Sequence, residues 1–486
     1  MTVKTDGVAA GRTGARAARP GPARAETAEQ LSHADRVARG KDARAAAPRE
    51  SQAEFTPGGS RDPVGLLLGQ AKSRVPELVP VRHGRMLVSP FTFYRGAALP
   101  MAADLAGTPS SGLRVQLCGD AHLSNFGAFA SPERNLVFDV NDFDETLPGP
   151  FEWDVKRLAA SVAVAVRDNG FDTRAERTAA RRCAHVYRTE MANFAQMRFL
   201  DVWYSRIDVD QVCQLFDAVQ SRKAIRRRNK DVRKAYRHTS VQAVDKLCHL
   251  VNGQYRIKPV PPVVVRFGIE HEPTIVDELR ETVDLYRETL QADRREVLRH
   301  YYFGDFARKV VGVGSVGTEA FLLLLLGDRP DEPLFLQLKE AQESVLAPFA
   351  GPSEFKHQGE RVVRGQKLMQ AAGDPFLGWT SGLQMDGAGA KEYYVRQLRD
   401  MKGAMNVPIM DPPQLTYYAG LCGWALARSH ARTGRAAMIA GYLGSSDQFD
   451  LAIEEFAVAY ADQNQLDYQR LLNAIECRRL PAIEGL

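Results

Sequence analysis

The run Cys118-Gly119-Asp120-Ala121-His122-Leu123-Ser124-Asn125-Phe126-Gly127, followed by Leu136-Val137-Phe138-Asp139-Val140-Asn141-Asp142-Phe143-Asp144-Glu145, holds the residue types most able to do chemistry. Two acidic clusters flank a short apolar stretch, so their carboxylates can converge at the end of a strand, and Asn125 adds a neutral oxygen. Such a donor set suits a hard cation. Magnesium takes oxygen ligands from one or two carboxylates and from substrate phosphates, and these side chains fit that habit better than a zinc site.

The elements around this run must hold its loops still. Val115 to Cys118 reads as a short apolar strand leading into it and Asn135 to Val140 as a second, so the acidic loops sit on a rigid rim. Trp153 to Ala165, dense in Ala, Val and Leu, reads as a buried helix. Upstream, Val64 to Leu68 opens a helix. Arg85 to Gly96 lacks a helical period and contains Pro90, so it is expected to be non-helical, its aromatics in the core and Arg95 in a structural role rather than facing an anion. Amphipathic helices are expected over 174–220, an extended segment over 259–265, and helices over 276–302, 415–430 and 447–475. The basic run 222–237 is read as a solvated helix face, with a dock for an acidic substrate as the alternative.

Composition excludes several classes. With 486 residues the chain can form two or three domains, and a net charge of +5 is small for that size, so a nucleic-acid partner is not expected. Six cysteines without CxxC spacing point to reduced thiols rather than disulfides or a zinc knuckle. No apolar run approaches the roughly eighteen residues of a membrane span, and the N-terminus lacks the apolar core of a signal peptide. A soluble cytoplasmic protein with no membrane partner is expected. Residues 1–60, rich in Ala, Arg, Gly and Pro, are expected to be a disordered basic tail.

A second constellation lies far downstream. Gly312-Val313-Gly314-Ser315-Val316-Gly317 has the G-x-G-x-x-G pattern, which is weak by itself. Phe321 to Leu326, a turn at Gly327 to Asp331, and Leu334 to Lys339 then read as a hairpin. Lys339 ends an apolar strand, where an ammonium needs an anion: a nucleotide phosphate, together with an acid of the following helix, for which Glu343, Glu354 and Glu360 are candidates. A glycine-rich loop on a hairpin with a lysine on the next strand resembles the protein-kinase arrangement. Lys391 to Asp400 is strand-like, and His430 is read as a core histidine.

With both constellations in view, Gly119-Asp120-x-His122-x-x-Asn125 resembles the catalytic loop of aminoglycoside and choline phosphotransferases, and Asp142-Phe143-Asp144 looks like their metal-binding segment. The resemblance implies that Asp120 accepts the proton of a substrate hydroxyl and that Asn125 and Asp142 hold Mg2+, with Asp139 the competing ligand. It also implies that Gly312, Gly314, Ser315, Gly317 and Lys339 bind ATP, and that Asp154 ties its helix to the catalytic loop. Cys118 departs from the pattern, standing where kinases often carry a histidine. From about residue 35 to 480 the chain is also similar to an uncharacterised bacterial family, domain of unknown function 2252, through Phe93-Tyr94-Arg95-Gly96, Cys118 to Gly127, Asn141 to Pro150 with Trp153-Asp154, Gly312 to Thr318, Leu336 to Ala341 and Leu426 to Ala431.

The expected fold is therefore α+β, a kinase-like two-lobed fold with a helix-rich large lobe. The order of the constellations is reversed, which implies a circular permutation. The helical lobe would span 61–305, the glycine-rich hairpin lobe 306–410, and C-terminal helices 411–486 would complete the large lobe. The expected activity is ATP- and magnesium-dependent phosphoryl transfer to an unknown small-molecule or protein hydroxyl, with nucleotidyl transfer using much the same groups. A metal-dependent phosphoesterase and a non-catalytic nucleotide-binding regulator are the alternatives.

Overall fold

The computed structural model describes residues 31–485, apart from residue 211, parts of 214–239, and residues 267–272, 311, 330–331, 383–388, 399–400 and 402. Most of the basic run 222–237 lies outside the described residues. Folded structure begins earlier than composition suggests. Helix α1 (His33–Asp42) starts at a capping box in which Ser32 and Asp35 satisfy each other's backbone amides. The arginines that made this segment look like a tail serve the fold: Arg44 Nε donates to Tyr442 O at 2.8 Å and Arg49 Nη1 to Leu443 O at 3.0 Å. Those carbonyls end a later helix, where cations satisfy orphan acceptors.

Helices α2 (Pro63–Ala71), α3 (Val79–Met86) and α4 (Pro90–Gly96) follow. The last corrects the non-helical expectation for 85–96. Pro90 occupies the first turn, where its missing N–H costs nothing, and Ser89 with Thr92 forms a capping box in front of it.

Strands β1 (Arg114–Leu117), β2 (Phe126–Ala130), β3 (Leu136–Val140) and β4 (Leu147–Pro150) frame the two acidic loops. β1 pairs with β4, and β2 with β3, so the loops 118–125 and 141–146 leave neighbouring strand ends. Helix α5 (Phe151–Asp168) is buried from Phe151 to Val166, as its Ala/Val/Leu content predicts, and packs on α6 (Thr173–Gln196).

A six-stranded antiparallel sheet forms the other half. Its strands are β5 (Val264–Arg266), β6 (Tyr302–Lys309), β7 (Ala320–Leu326), β8 (Pro333–Glu340), β9 (Gly378–Gly382) and β10 (Lys391–Gln397), in the order β9-β10-β8-β7-β6-β5. The expected hairpin is β7–β8, in register with Ala320 opposite Lys339. Along β8, Leu334, Leu336 and Leu338 join the core against Tyr286, Phe321 and Tyr393, while Phe335 packs on the opposite face. The period of two therefore puts Gln337 and Lys339 on the face with Phe335. Helix α7 (Gln358–Met369) follows, and α8 (Pro412–His430), α9 (Ala436–Leu443) and α10 (Gln448–Glu476) close the chain around α5 and α6. The result is a mixed α+β fold. No helix among the described residues is long and apolar enough to cross a membrane.

One buried charge in α5 gives a test of the packing. Lys156 Nζ has no hydrogen-bond partner among the described residues and lies 4.8 Å from the Phe456 ring centroid; burial pushes its ammonium down to about 8, against the pull of Glu152. The unfolded chain holds this proton up to about pH 10.4, so between these values it binds more protons than the native state and the Lys156 contribution to stability rises with pH. The buried thiols Cys118, Cys183 and Cys422 are pushed up by burial and act in the opposite sense. The comparison is therefore with Lys156→Met: urea unfolding should show wild type gaining on the variant as pH rises from 8 to 10, and a constant difference would contradict the burial.

Candidate functional site

One face of α5 holds the first loop. Asp154, Arg157 and Ser161 stand at helical spacing on that face. Asp154 accepts from the Cys118 and Gly119 amides at 2.8 and 3.0 Å, Arg157 Nε donates to Asp120 Oδ1 at 2.6 Å, and Ser161 Oγ accepts from Leu123 N at 3.1 Å. Gly119 can turn here because its φ is +84°, and a Cβ would strike Glu145 O. Asn125 closes the loop on itself, donating to Asp120 O at 2.7 Å. From α8, the buried His430 supports Asp154, its Nε2 lying 3.2 Å from Oδ2, and its Nδ1 is 2.8 Å from the Tyr187 hydroxyl.

The second loop meets the sheet. β8 and β10 place Lys339 opposite Tyr394, and both reach one carboxylate: Lys339 Nζ donates to Asp144 Oδ2 at 2.6 Å and the Tyr394 hydroxyl to Asp144 Oδ1 at 2.5 Å. Asp142 Oδ1 lies 3.6 Å from the same ammonium. The acids that compensate Lys339 are thus two aspartates of the acidic loop rather than Glu343, Glu354 or Glu360. Helix α7 contributes an arginine instead. Arg361 donates to Asp144 O, Thr146 O and Gln342 O at 2.7–2.9 Å, fixing the backbone behind the acids.

The glycine-rich loop lies between β6 and β7, and the N-terminal helices pin it. Val75 N donates to Gly317 O at 2.8 Å, Arg85 Nη1 to Gly312 O at 2.6 Å, and Arg74 Nη1 to Val316 O. Gly317 has φ +93°, and a Cβ there would sit 3.0 Å from the Arg74 stem. Gly317→Ala should therefore cost about 1–3 kcal/mol of stability from backbone strain alone. Chemical denaturation reads this directly, and an unchanged midpoint would contradict the loop geometry.

Asp120, Asn125, Asp142, Gly312, Gly314, Ser315 and Lys339 line one cavity of about 380 Å³. Two expected site residues do not. Gly317 turns away against Arg74. Asp139 is buried beneath the site with both oxygens taken by Arg428 Nη2, at 2.6 and 2.7 Å, and it accepts from Ala371 N as well. Its place on β3 explains this: every residue of that strand is buried, so Asp139 cannot reach the open rim. Arg95, assigned a structural role from sequence, lines the cavity and makes no ion pair among the described residues.

Electrostatics divide the acids by role. Burial raises Asp120 from its ordinary value, against the pull of Arg157. Burial and the neighbouring Asp142 raise Asp144, and burial pushes Glu145 up to about 7. Burial alone would lower Lys339, but Asp142 and Asp144 outweigh it and keep the ammonium charged. His122 is held neutral by burial and by Arg95 and Arg157. Among the described residues no three His, Cys, Asp or Glu side chains form a cage for a metal. The oxygens of Asp142, Asp144 and Asn125 on the cavity wall fit a cation that takes its remaining ligands from phosphates and water.

Sequence reasoning missed Arg157, Arg361 and Tyr394, and it named Asp144 within the Asp142-Phe143-Asp144 segment without giving it a role of its own. Two of them carried a signal. Asp144 follows Asp142 by two residues with the apolar, buried Phe143 between them, and Arg157 follows Asp154 by three on a helix. Arg361 and Tyr394 arrive from more than two hundred residues away and carried none.

A family model described as an uncharacterized protein conserved in bacteria, DUF2252, matches residues 74–474. No curated protein and no solved structure matches the chain.

Proposed function

This chain belongs to the DUF2252 family, which brings no reaction with it, and we propose from its site that it is an ATP- and magnesium-dependent phosphotransferase acting on a hydroxyl acceptor. In this reading the fold is a circularly permuted kinase-like one. The observation that carries it is that a glycine-rich loop, a lysine and the Asp120 to Asp144 acids, separated by nearly two hundred residues of chain, line a single cavity.

Each group then has a role. The glycine-loop amides and Lys339 cradle the nucleotide phosphates, and Asn125, Asp142 and Asp144 would hold Mg2+. When bound, the metal neutralises charge developing on the transferred group and its leaving oxygen. Asp120, fixed by Arg157, orients the acceptor hydroxyl and takes its proton. The hydroxyl oxygen forms the new bond to the γ-phosphorus while the bond from phosphorus to the ADP oxygen breaks, and its electron pair leaves on ADP. The three-acid cage that a self-contained metallophosphoesterase would need is absent among the described residues.

Binding of ATP with Mg2+ tests the reading. Lys339→Ala should weaken nucleotide binding by at least tenfold in calorimetry. Equal affinity in both proteins, or hydrolysis of phosphoesters without nucleotide, would overturn it; binding without turnover on any acceptor would point to a regulator.

A further inference from the structure

We propose that three arginines at one end of the cavity form an oxyanion subsite for the acceptor, so that the substrate carries a phosphate or carboxylate group besides the hydroxyl that Asp120 receives. This rests on the phosphotransferase reading and deepens it. Arg74, Arg82 and Arg95 all line the cavity. Arg82 is 1% exposed; its Nη2 donates to Gln70 Oε1 and Gly96 O at 2.6 and 3.0 Å, while its Nε and Nη1 have no hydrogen-bond partner among the described residues. Arg74 is 7% exposed and its Nε is unpartnered, as is that of Arg95. None of the three makes an ion pair among the described residues.

The acids of the same cavity are engaged elsewhere. Asp120 is held by Arg157 and Asp144 by Lys339 and Tyr394. Glu145 accepts from Val345 N at 2.7 Å, and Glu340 from Glu319 N and Gln342 Nε2, both at 2.8 Å. Glu343 also lines the cavity but is exposed to solvent, so the unmatched buried charge at this end is positive. Guanidinium groups left buried without partners are costly, and an oxyanion is what their planar forks fit. Burial pushes the Arg74 and Arg82 guanidinium groups below their ordinary range, against the pull of Glu145 on both, and Arg74 lowers Arg82 further.

Arg95 sets the subsite on the acceptor side, while Arg74 also braces the glycine-rich loop through Val316 O. Arg95 is one of the charges acting on Asp120 and on His122, so it stands on the side where the acceptor hydroxyl is received, whereas Lys339 and the acidic pair stand on the sheet side. A cationic acceptor would meet three uncompensated guanidinium groups on that wall. An anionic one would be oriented by them.

The test is calorimetry of inorganic phosphate, and separately of malonate, against the full chain saturated with Mg2+ and the non-hydrolysable imido analogue of ATP. Either anion should bind alongside the nucleotide, and Arg95→Gln should weaken it at least tenfold with the nucleotide affinity kept. Arg95→Lys should restore part of the loss. Phosphate tighter than malonate would identify a phosphorylated acceptor, and the reverse a carboxylated one. Competition between anion and nucleotide would assign the arginines to the nucleotide tail and overturn the proposal, as would no anion binding. Failure of the nucleotide to bind, with phosphate still binding through Arg95, would overturn the phosphotransferase reading and leave the anion subsite standing.

Discussion

Asp120→Asn should lower turnover by about 10²–10⁴-fold, the range for loss of a positioned general base, while nucleotide affinity stays within about threefold of wild type. The asymmetry follows from geometry. Asp120 is held by α5 through Arg157, whereas Lys339 is held by Asp144 and Tyr394, so the groups proposed to cradle phosphate keep their own partners when Asp120 loses its charge. Asparagine is nearly isosteric and still offers an oxygen to Arg157, which keeps the loop in place and makes the loss one of proton transfer rather than folding. Product analysis sharpens the result: ADP identifies phosphoryl transfer, whereas pyrophosphate or AMP on the acceptor identifies nucleotidyl transfer. An Asp120→Asn protein with full turnover would remove Asp120 from the mechanism.

The second large effect concerns the residue that sequence placed among the metal ligands. Asp139→Ala should destabilise the protein by about 3–5 kcal/mol, because it leaves the Arg428 guanidinium buried without its partner. Its magnesium dependence should match wild type. Asp142→Asn should do the reverse, shifting the Mg2+ requirement upward with a smaller change in unfolding midpoint, since Asp142 stands on the open wall. If Asp139→Ala unfolded normally but needed more metal, the assignment of the two aspartates would have to be exchanged.

What was legible in the sequence was what local rules encode. The helix at 151–168 reads directly from its apolar run, and the hairpin and its terminal lysine from alternation around a turn. The first loop announced itself by residue type. What stayed hidden was which side chains pair across the chain: Lys339 finds Asp144 over 195 residues and Arg428 finds Asp139 over 289, and no periodicity records such meetings. Two local readings failed for a shared reason. A proline and a run of arginines were weighed by their average habits, while Pro90 sits at a first turn and Arg44 and Arg49 sit at the end of α9.

The position of α5 in the chain sets an order of assembly. Asp120, Asp142, Asp144 and the helix that clamps the first loop leave the ribosome together, yet Lys339 follows about 200 residues later, or ~10–40 s at ordinary synthesis rates, and Arg428 later still. Until then Asp142 and Asp144 lack their cation and Asp139 lacks its buried partner. A nascent chain thus carries Asp142 and Asp144 without the ammonium that neutralises them in the folded protein, and on the proposed reading nucleotide binding would wait until the Lys339 strand has joined them.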